Sequence, residues 1–359
     1  MLLQQGFLNI LAQIAPGTHL REALDSITRL GKGALILIAD REKASNVILD
    51  GFELNTEFTP QKLTELSKMD RAIVVDESLK KILYANVLLV PDHRIPSRET
   101  GTRHHAAEIV AKQLQAPTLA VSASKERVTL YYGNIRYILP DFNILTARVN
   151  QALHILEQYR STLDALLDEL TALEFEGRPH ADDVASVIQL SIQMQQVESD
   201  VGRWFIEMGD QKHLQEQLLE WLMLEVSTRF ALLLKDYQRK ERKSVQSMIR
   251  KLQGLPREKL LETEAIMEVL GYEELNEISE MTLNPRGYRV LHEIPRLPST
   301  IAKRLVSKFG NLLQIVDASE EDLIKIRGVG MVRARTIRAG LMRIKILYNS
   351  IPQVMKHAR

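Results

Sequence analysis

The feature that most constrains this chain is a change of hydrophobic period near Asp141. Before it, short apolar runs recur at Ala34 to Ala39, Ala72 to Val75, Ile82 to Val90, Thr118 to Ala123, Arg127 to Tyr132 and Ile135 to Leu139. They are too short for buried helices and rich in β-branched residues, so each is expected to be a strand. Leu20 to Leu30, Pro60 to Ser67 and Arg103 to Leu114 carry helical spacing between them, with Thr59 and Pro60 placed as an N-cap and first-turn pair. Residues 1–145 therefore read as an α/β domain with a mixed sheet.

Beyond Asp141 the spacing becomes helical, through Leu153, Leu156, Tyr159, Leu163, Leu166, Leu167, Leu170 and Leu173. A second run spans His213 to Lys235, with Leu218, Leu222, Val226 and Leu233 on its apolar stripe. Turns are expected at Gly177-Arg178-Pro179, Gly209-Asp210 and Gly254-Leu255-Pro256. An all-α spine over 146–285 follows, its stripes serving as core. Residues 286–359 form a third domain.

The length of 359 residues, with 45% hydrophobic and 26% charged, suits two or three ordinary globular domains. The absence of cysteine excludes disulfides and thiolate chemistry, and leaves oxygen and imidazole for any metal. Neither a basic start nor a long apolar segment is present, so neither secretion nor membrane insertion is expected. The net charge of +1 hides an asymmetry: from Arg286 to Arg359, fifteen Lys or Arg stand against five Asp or Glu. Such an end suits a polyanion.

Ile324 to Ile337 reads as a short helix, a Gly328-Val329-Gly330 hairpin and a second helix. Two glycines two apart permit a tight turn that offers N–H groups and a helix dipole to one phosphate. Lys325, Arg327, Arg333, Arg335 and Arg338 surround it, and backbone contacts of this kind position a protein on DNA without reading sequence. Ile294 to Leu305 looks like a degenerate first half of the same device, with prolines in place of glycines. The competing reading is a small packing module whose cations face water.

The densest chemistry lies at Met69-Asp70-Arg71-Ala72 and from Glu99 to Glu108. Asp70 precedes a strand, where its carboxylate projects at a sheet edge. Thr100-Gly101-Thr102 is a loop opening a helix whose first turn carries Arg103, His104 and His105, a combination suited to triphosphate oxygens and a divalent metal. The residues alone leave a second reading open. Asp70 also suits a turn cap, and adjacent histidines do not share a helix face.

At Ile14 to Thr18, Gly33 to Ile36, Glu65 to Asp70, Lys81 to Val87, Glu99 to His104, Asn284 to Arg289 and the Gly328 hairpin, the chain resembles the bacterial DNA integrity scanning family. Those proteins are diadenylate cyclases joined through a helical spine to a helix-hairpin-helix domain, and the likeness runs nearly the whole length. The resemblance implies cyclic di-AMP synthesis from two ATP molecules in facing sites of neighbouring subunits, with Mg²⁺ or Mn²⁺ assisting. It implies that Asp70 orients the 3′-hydroxyl and, with His104, the metal, while Arg103 and His104 hold phosphate. Gly101 and Thr102 then shape the phosphate loop, Ser122 and Lys125 add phosphate contacts, Leu88 touches adenine, and His105 completes the nucleotide-binding set. The family resemblance further implies a cytoplasmic, nucleoid-associated homo-octamer binding branched DNA through Lys325, Arg327, Gly328, Gly330, Arg333 and Arg335.

The family's Asp-Gly-Ala is here Asp70-Arg71-Ala72, and its Arg-His-Arg-Thr is Arg103-His104-His105-Ala106. Arg71 either blocks the pocket or supplies a phosphate ligand. His105 replaces a bidentate guanidinium and Ala106 lacks a hydroxyl donor. The expectation is an active cyclase, of reduced rate if those donors mattered, modulated by DNA. The alternative is a DNA-junction-binding oligomeric scaffold with weakened or lost cyclase activity. A nuclease ranks below both for want of an acidic metal cluster.

Overall fold

The computed structural model describes residues 2–123, 127–239, 244–272 and 281–349. It comprises two compact units, Met1–Gln151 with Val201–Glu216, and Ala152–Asp200 with Gln217–Arg359.

The first unit runs α1 (Leu2–Gln13), α2 (His19–Arg29), β1 (Ala34–Ile38), α3 (Arg41–Ser45), β2 (Ile48–Glu57), α4 (Pro60–Leu66), β3 (Ala72–Val75) and β4 (Lys81–Leu89). It continues through α5 (Thr102–Leu114), β5 (Thr118–Ser122), β6 (Arg127–Tyr132) and β7 (Ile135–Ile138). Thr59 caps α4, its hydroxyl accepting from the Lys62 N–H with Pro60 in the first turn. The seven strands form one mixed sheet in the order β2-β4-β3-β1-β5-β6-β7, with β1 and β3 parallel and their other neighbours antiparallel.

Strand alternation sorts the core. Ile36 and Ile38 enter one cluster with Leu24, Ile27 and Val121, while Leu35 and Leu37 enter the other with Val74, Val110 and Ala111. A strand covered on both faces requires an unbroken apolar run, which is why β1 stands out in the sequence.

β2 is absent from the strands expected above. Its residues are mostly exposed, and Asp50, Gly51, Asn55 and Glu57 dilute any alternation. As an edge strand it is held by pairing with β4 alone, through a register broken by bulges.

The long helices α6 (Phe142–Glu176) and α7 (Ala181–Met208) precede α8 (His213–Met223) and α9 (Val226–Tyr237). The single helical run expected from His213 to Lys235 is thus two helices, separated at Glu225, whose φ is +62°. No glycine or proline announces this break. Arg160, far away in sequence, donates to the carbonyls of Leu222 at 2.9 Å and Leu224 at 2.8 Å, satisfying acceptors that the interrupted helix leaves open.

The remaining helices of the second unit are α10 (Val245–Gln253), α11 (Arg257–Leu260), α12 (Thr263–Leu270), α13 (Tyr288–His292), α14 (Ser299–Phe309), α15 (Leu312–Asp317), α16 (Glu320–Ile324) and α17 (Met331–Asn349). Val290, Leu305, Leu312, Ile337 and Leu341 pack into one core there, joined by Phe175 of α6. Beside it Arg289 is buried, donating to Glu174 at 2.6 Å and to Thr171 at 2.8 Å. The Asp236 carboxylate accepts the Tyr288 and Arg289 N–H groups at 2.6 and 2.9 Å. Among the described residues no helix is long and apolar enough to cross a membrane.

Candidate active site and helical hairpins

Strand register assembles the first site. Ile36 lies opposite Ile73 in the parallel pair and Ala34 opposite Val121 in the antiparallel pair. Continued to the strand ends, these registers bring Gly33, Asp70 and Ser122 level at one end of the sheet. On the other side Ala72 faces Val87 and Leu88 faces Asp50, so Leu88 reaches the same end, inside β4 and half exposed.

Asp70 stands two residues before β3 with its side chain fully exposed. An Arg103 guanidinium nitrogen lies 3.8 Å from its carboxylate. That guanidinium rests against Gly33: a Cβ there would come within 2.6 Å of Nη1 and 2.9 Å of Cζ. Gly33 is therefore the floor on which Arg103 lies, a role requiring the smallest residue. Arg71 turns away from Asp70 and reaches Asp50 on β2, Nη1 to Oδ2, at 3.2 Å.

Gly101 is the N-cap of α5 and supplies no side-chain acceptor, so the first-turn N–H groups, including that of Thr102, lack a side-chain cap. His104 and His105 diverge as adjacent helical residues must. The His104 ring packs edge-on to Tyr131 with centroids 6.4 Å apart, and His105 is half-buried. Ser122 ends β5 in a half-buried position, and Lys125 lies outside the described residues.

Sequence reading assigned no role to the carboxylates that fix the loop into α5. Glu99 accepts from the Tyr131 hydroxyl at 2.8 Å and from Arg136 Nε at 2.5 Å. Burial works to raise the Glu99 carboxyl, but the Tyr131 and Arg136 hydrogen bonds outweigh it and hold it below the usual range. Glu108 on α5 accepts from the Ser97 hydroxyl, the Arg98 N–H and Lys112 at 2.6 to 2.9 Å. Burial opposes its ionisation too, yet these donors bring it down to about 2. The Glu99 partners are remote in sequence, whereas Lys112 stands one helical turn beyond Glu108 and Ser97 and Arg98 lie in the loop before it.

No group of three or more metal-binding side chains gathers among the described residues. The exposed Asp70 carboxylate fits a hard divalent ion that takes one protein oxygen and completes its shell with phosphate and water, the habit of Mg²⁺.

In the second unit two hairpins repeat one geometry. Val329 N–H bonds to the Ile326 carbonyl and Ala334 N–H to that of Gly330, while Leu297 bonds to Ile294 and Ala302 to Pro298 in the same pattern. The left-handed position is Gly328 in one, φ +93°, and Arg296 in the other, φ +60°. The turn needs glycine's freedom at Gly328 alone. Gly330 has no positive φ, and a Cβ there would meet nothing within 4 Å.

Three of the cations expected around this hairpin, Lys325, Arg333 and Arg335, hold protein partners. Lys325 pairs with Asp322 at 2.8 Å and Arg335 with Glu320 at 3.4 Å, both exposed and weak pairs that a phosphate can displace. Arg333 donates to the Gly328 carbonyl, and Arg304 of α14, which the sequence reading left without a role, donates to that of Arg327.

Residues 21–135 match the family model described as DisA bacterial checkpoint controller nucleotide-binding, and residues 139–279 match the one described as DisA bacterial checkpoint controller linker region. The class is thus a nucleotide-binding DAC domain followed by a checkpoint-controller linker. The chain is 42% identical over 339 residues to the DNA integrity scanning protein DisA of Carboxydothermus hydrogenoformans, covering 93% of this chain and 96% of that one. It is 40% identical over 338 residues to the DisA of Acetivibrio thermocellus, covering 94% of each. This chain belongs to the DisA family. A crystal structure of DacA from Staphylococcus aureus is 18% identical over 40% of this chain and 95% of that one, with a TM-score of 0.30.

Proposed function

We propose that the chain condenses two ATP molecules into cyclic di-AMP and two pyrophosphates, under the influence of branched DNA bound by the C-terminal hairpins. The observation that carries this reading is the fully exposed Asp70 carboxylate beside Arg103 at the uncapped start of α5. In each half-reaction a ribose 3′-oxygen forms a bond to the α-phosphorus of the other ATP. The bond from that phosphorus to pyrophosphate breaks, pyrophosphate leaves with the electron pair, and the 3′-hydroxyl proton passes to the Asp70 carboxylate and on to water.

Asp70 orients the hydroxyl and accepts its hydrogen bond. Arg103, fixed on Gly33, neutralises phosphate charge, and the α5 N–H groups add fixed dipoles. Asp70 would hold a Mg²⁺ or Mn²⁺ ion, with His104 the proposed second donor, and such an ion would supply further charge neutralisation. Most of the rate then comes from positioning two bound substrates.

The reaction needs two sites face to face, hence a homo-oligomer, and an octamer satisfies both this need and outward DNA-binding ends. The exposed Leu49, Phe52 and Leu54 on edge strand β2 support a surface that another copy covers. Arg333, Arg335, Lys325 and the open Gly330 backbone support sequence-independent phosphate binding.

The test incubates the full chain with ATP and Mg²⁺ or Mn²⁺, with and without a four-way DNA junction, and quantifies cyclic di-AMP. Product is expected, in an amount that the junction changes. A folded oligomer that binds the junction yet makes no product overturns the cyclase reading in favour of a DNA-binding scaffold.

A further inference from the structure

Arg71 is the chain's departure from its family beside the very carboxylate on which the proposed chemistry depends, and its placement explains how an arginine is tolerated there. A guanidinium one residue from a fully exposed carboxylate has the charge and flexibility to fold back on it. A carboxylate engaged in this way loses its affinity for a proton or a metal.

The structure instead draws Arg71 across β4, a distance of two strand spacings of about 4.8 Å each, to Asp50 on the edge strand. Asp50 is prepared for this. Its Oδ1 accepts the Gly51 N–H at 2.7 Å, leaving Oδ2 for Arg71. Gly51 sits at φ +147° with a Cβ position 2.9 Å from Val87 Cα, so the β2 bulge is pressed against β4 and fixes where Asp50 stands.

We propose that Asp50 is a positioning residue for the nucleotide site, holding Arg71 off Asp70 and thereby keeping the Asp70 carboxylate open to substrate. The inference rests on the cyclase reading of Asp70. On this account Arg71 is a cation parked on β2 rather than a plug.

The pair is exposed, 42% at Arg71 and 70% at Asp50, which limits its strength. The expected effect of breaking it is about 1.5- to 5-fold, the range of an exposed ion pair. The experiment compares Asp50→Asn, Asp50→Glu, Arg71→Gly and the Asp50→Asn/Arg71→Gly double variant, reading kcat and KM for cyclic di-AMP formation alongside direct ATP binding. Asn retains the oxygen that accepts from Gly51 and so preserves the bulge while removing the charge.

Asp50→Asn is expected to lower kcat about 1.5- to 5-fold with ATP affinity unchanged, and Asp50→Glu to restore it. In the Arg71→Gly background the same Asp50→Asn change is expected to have no effect, because nothing remains to be held back. An equal loss in both backgrounds, or no loss in either, overturns the inference while leaving the cyclase reading intact. A wild-type chain that binds no ATP and makes no product overturns the cyclase reading and this inference with it.

Discussion

At the sheet end of the first unit charged side chains face water, whereas at the meeting of α6, α9 and α13 in the second unit they are sealed from it. Asp70 is fully exposed with Arg103 at 3.8 Å, while Arg289, Glu174 and Asp236 are each at least 95% buried and joined at hydrogen-bond distance. An exposed pair contributes little to stability and is free to exchange its partner for a ligand. A buried one has no such freedom, and losing either member strands a charge. On the proposed function, charge at the sheet end serves chemistry, whereas charge at the helix junction holds α13 in place.

The largest expected effect tests the buried side. Arg289→Ala leaves Glu174 without its cation, while the Asp236 bonds to the backbone N–H groups of α13 remain, and is expected to cost the second unit about 3–5 kcal/mol, read by denaturant unfolding. A cost under 1 kcal/mol, as for an exposed pair, would erase the distinction.

Gly328→Ala comes next. At φ +93°, with the new Cβ 3.0 Å from Ile301 Cδ1, it is expected to destabilise the hairpin by about 1–3 kcal/mol. Gly330→Ala is expected to change stability by less than about 1 kcal/mol and, on the proposed function, to weaken junction binding by crowding the open backbone offered to phosphate. Equal stability losses at the two glycines would contradict the assignment of the turn to Gly328.

The two regions also respond to pH with opposite sign. Burial, and then the Glu174 charge, push the Asp236 carboxyl up to about 7 from an ordinary 3.8. Protons thus bind the folded form more tightly. The stability this group contributes is full below its ordinary value and is lost as pH rises towards 7. Glu108, held at about 2, contributes stability above its ordinary 4.5 that is lost as pH falls. Acidification from pH 7 to 5 is expected to raise amide-exchange protection factors in α9 and α13 without lowering those in α5, and Asp236→Asn to remove that rise. Protection factors that fall in both regions together would break the contrast.

These differences decide what the sequence discloses. The strands, Asp70, Arg103 and the Gly328 hairpin are legible because each depends on a run or motif within a few residues. β2 is not, since an exposed edge strand containing Asp50, Gly51 and Asn55 shows no alternation. The break at Glu225 depends on Arg160, and the anchoring of Glu99 depends on Tyr131 and Arg136. Arg289 and Glu174 are 115 residues apart, and as charged residues both read as solvent-facing until the fold joins them. Arg71 was legible as a departure, but its direction was not, because Asp50 lies two strands away.

The most direct measurement takes the Asp70→Asn chain and records cyclic di-AMP formation from ATP together with thermal unfolding, beside the wild type. The expected result is a loss of product of about 100-fold or more with the unfolding temperature unchanged, since an exposed carboxylate holds nothing up. Product formed at the wild-type rate, or a variant that loses activity only because it unfolds, would contradict the assignment of Asp70 to chemistry rather than to structure.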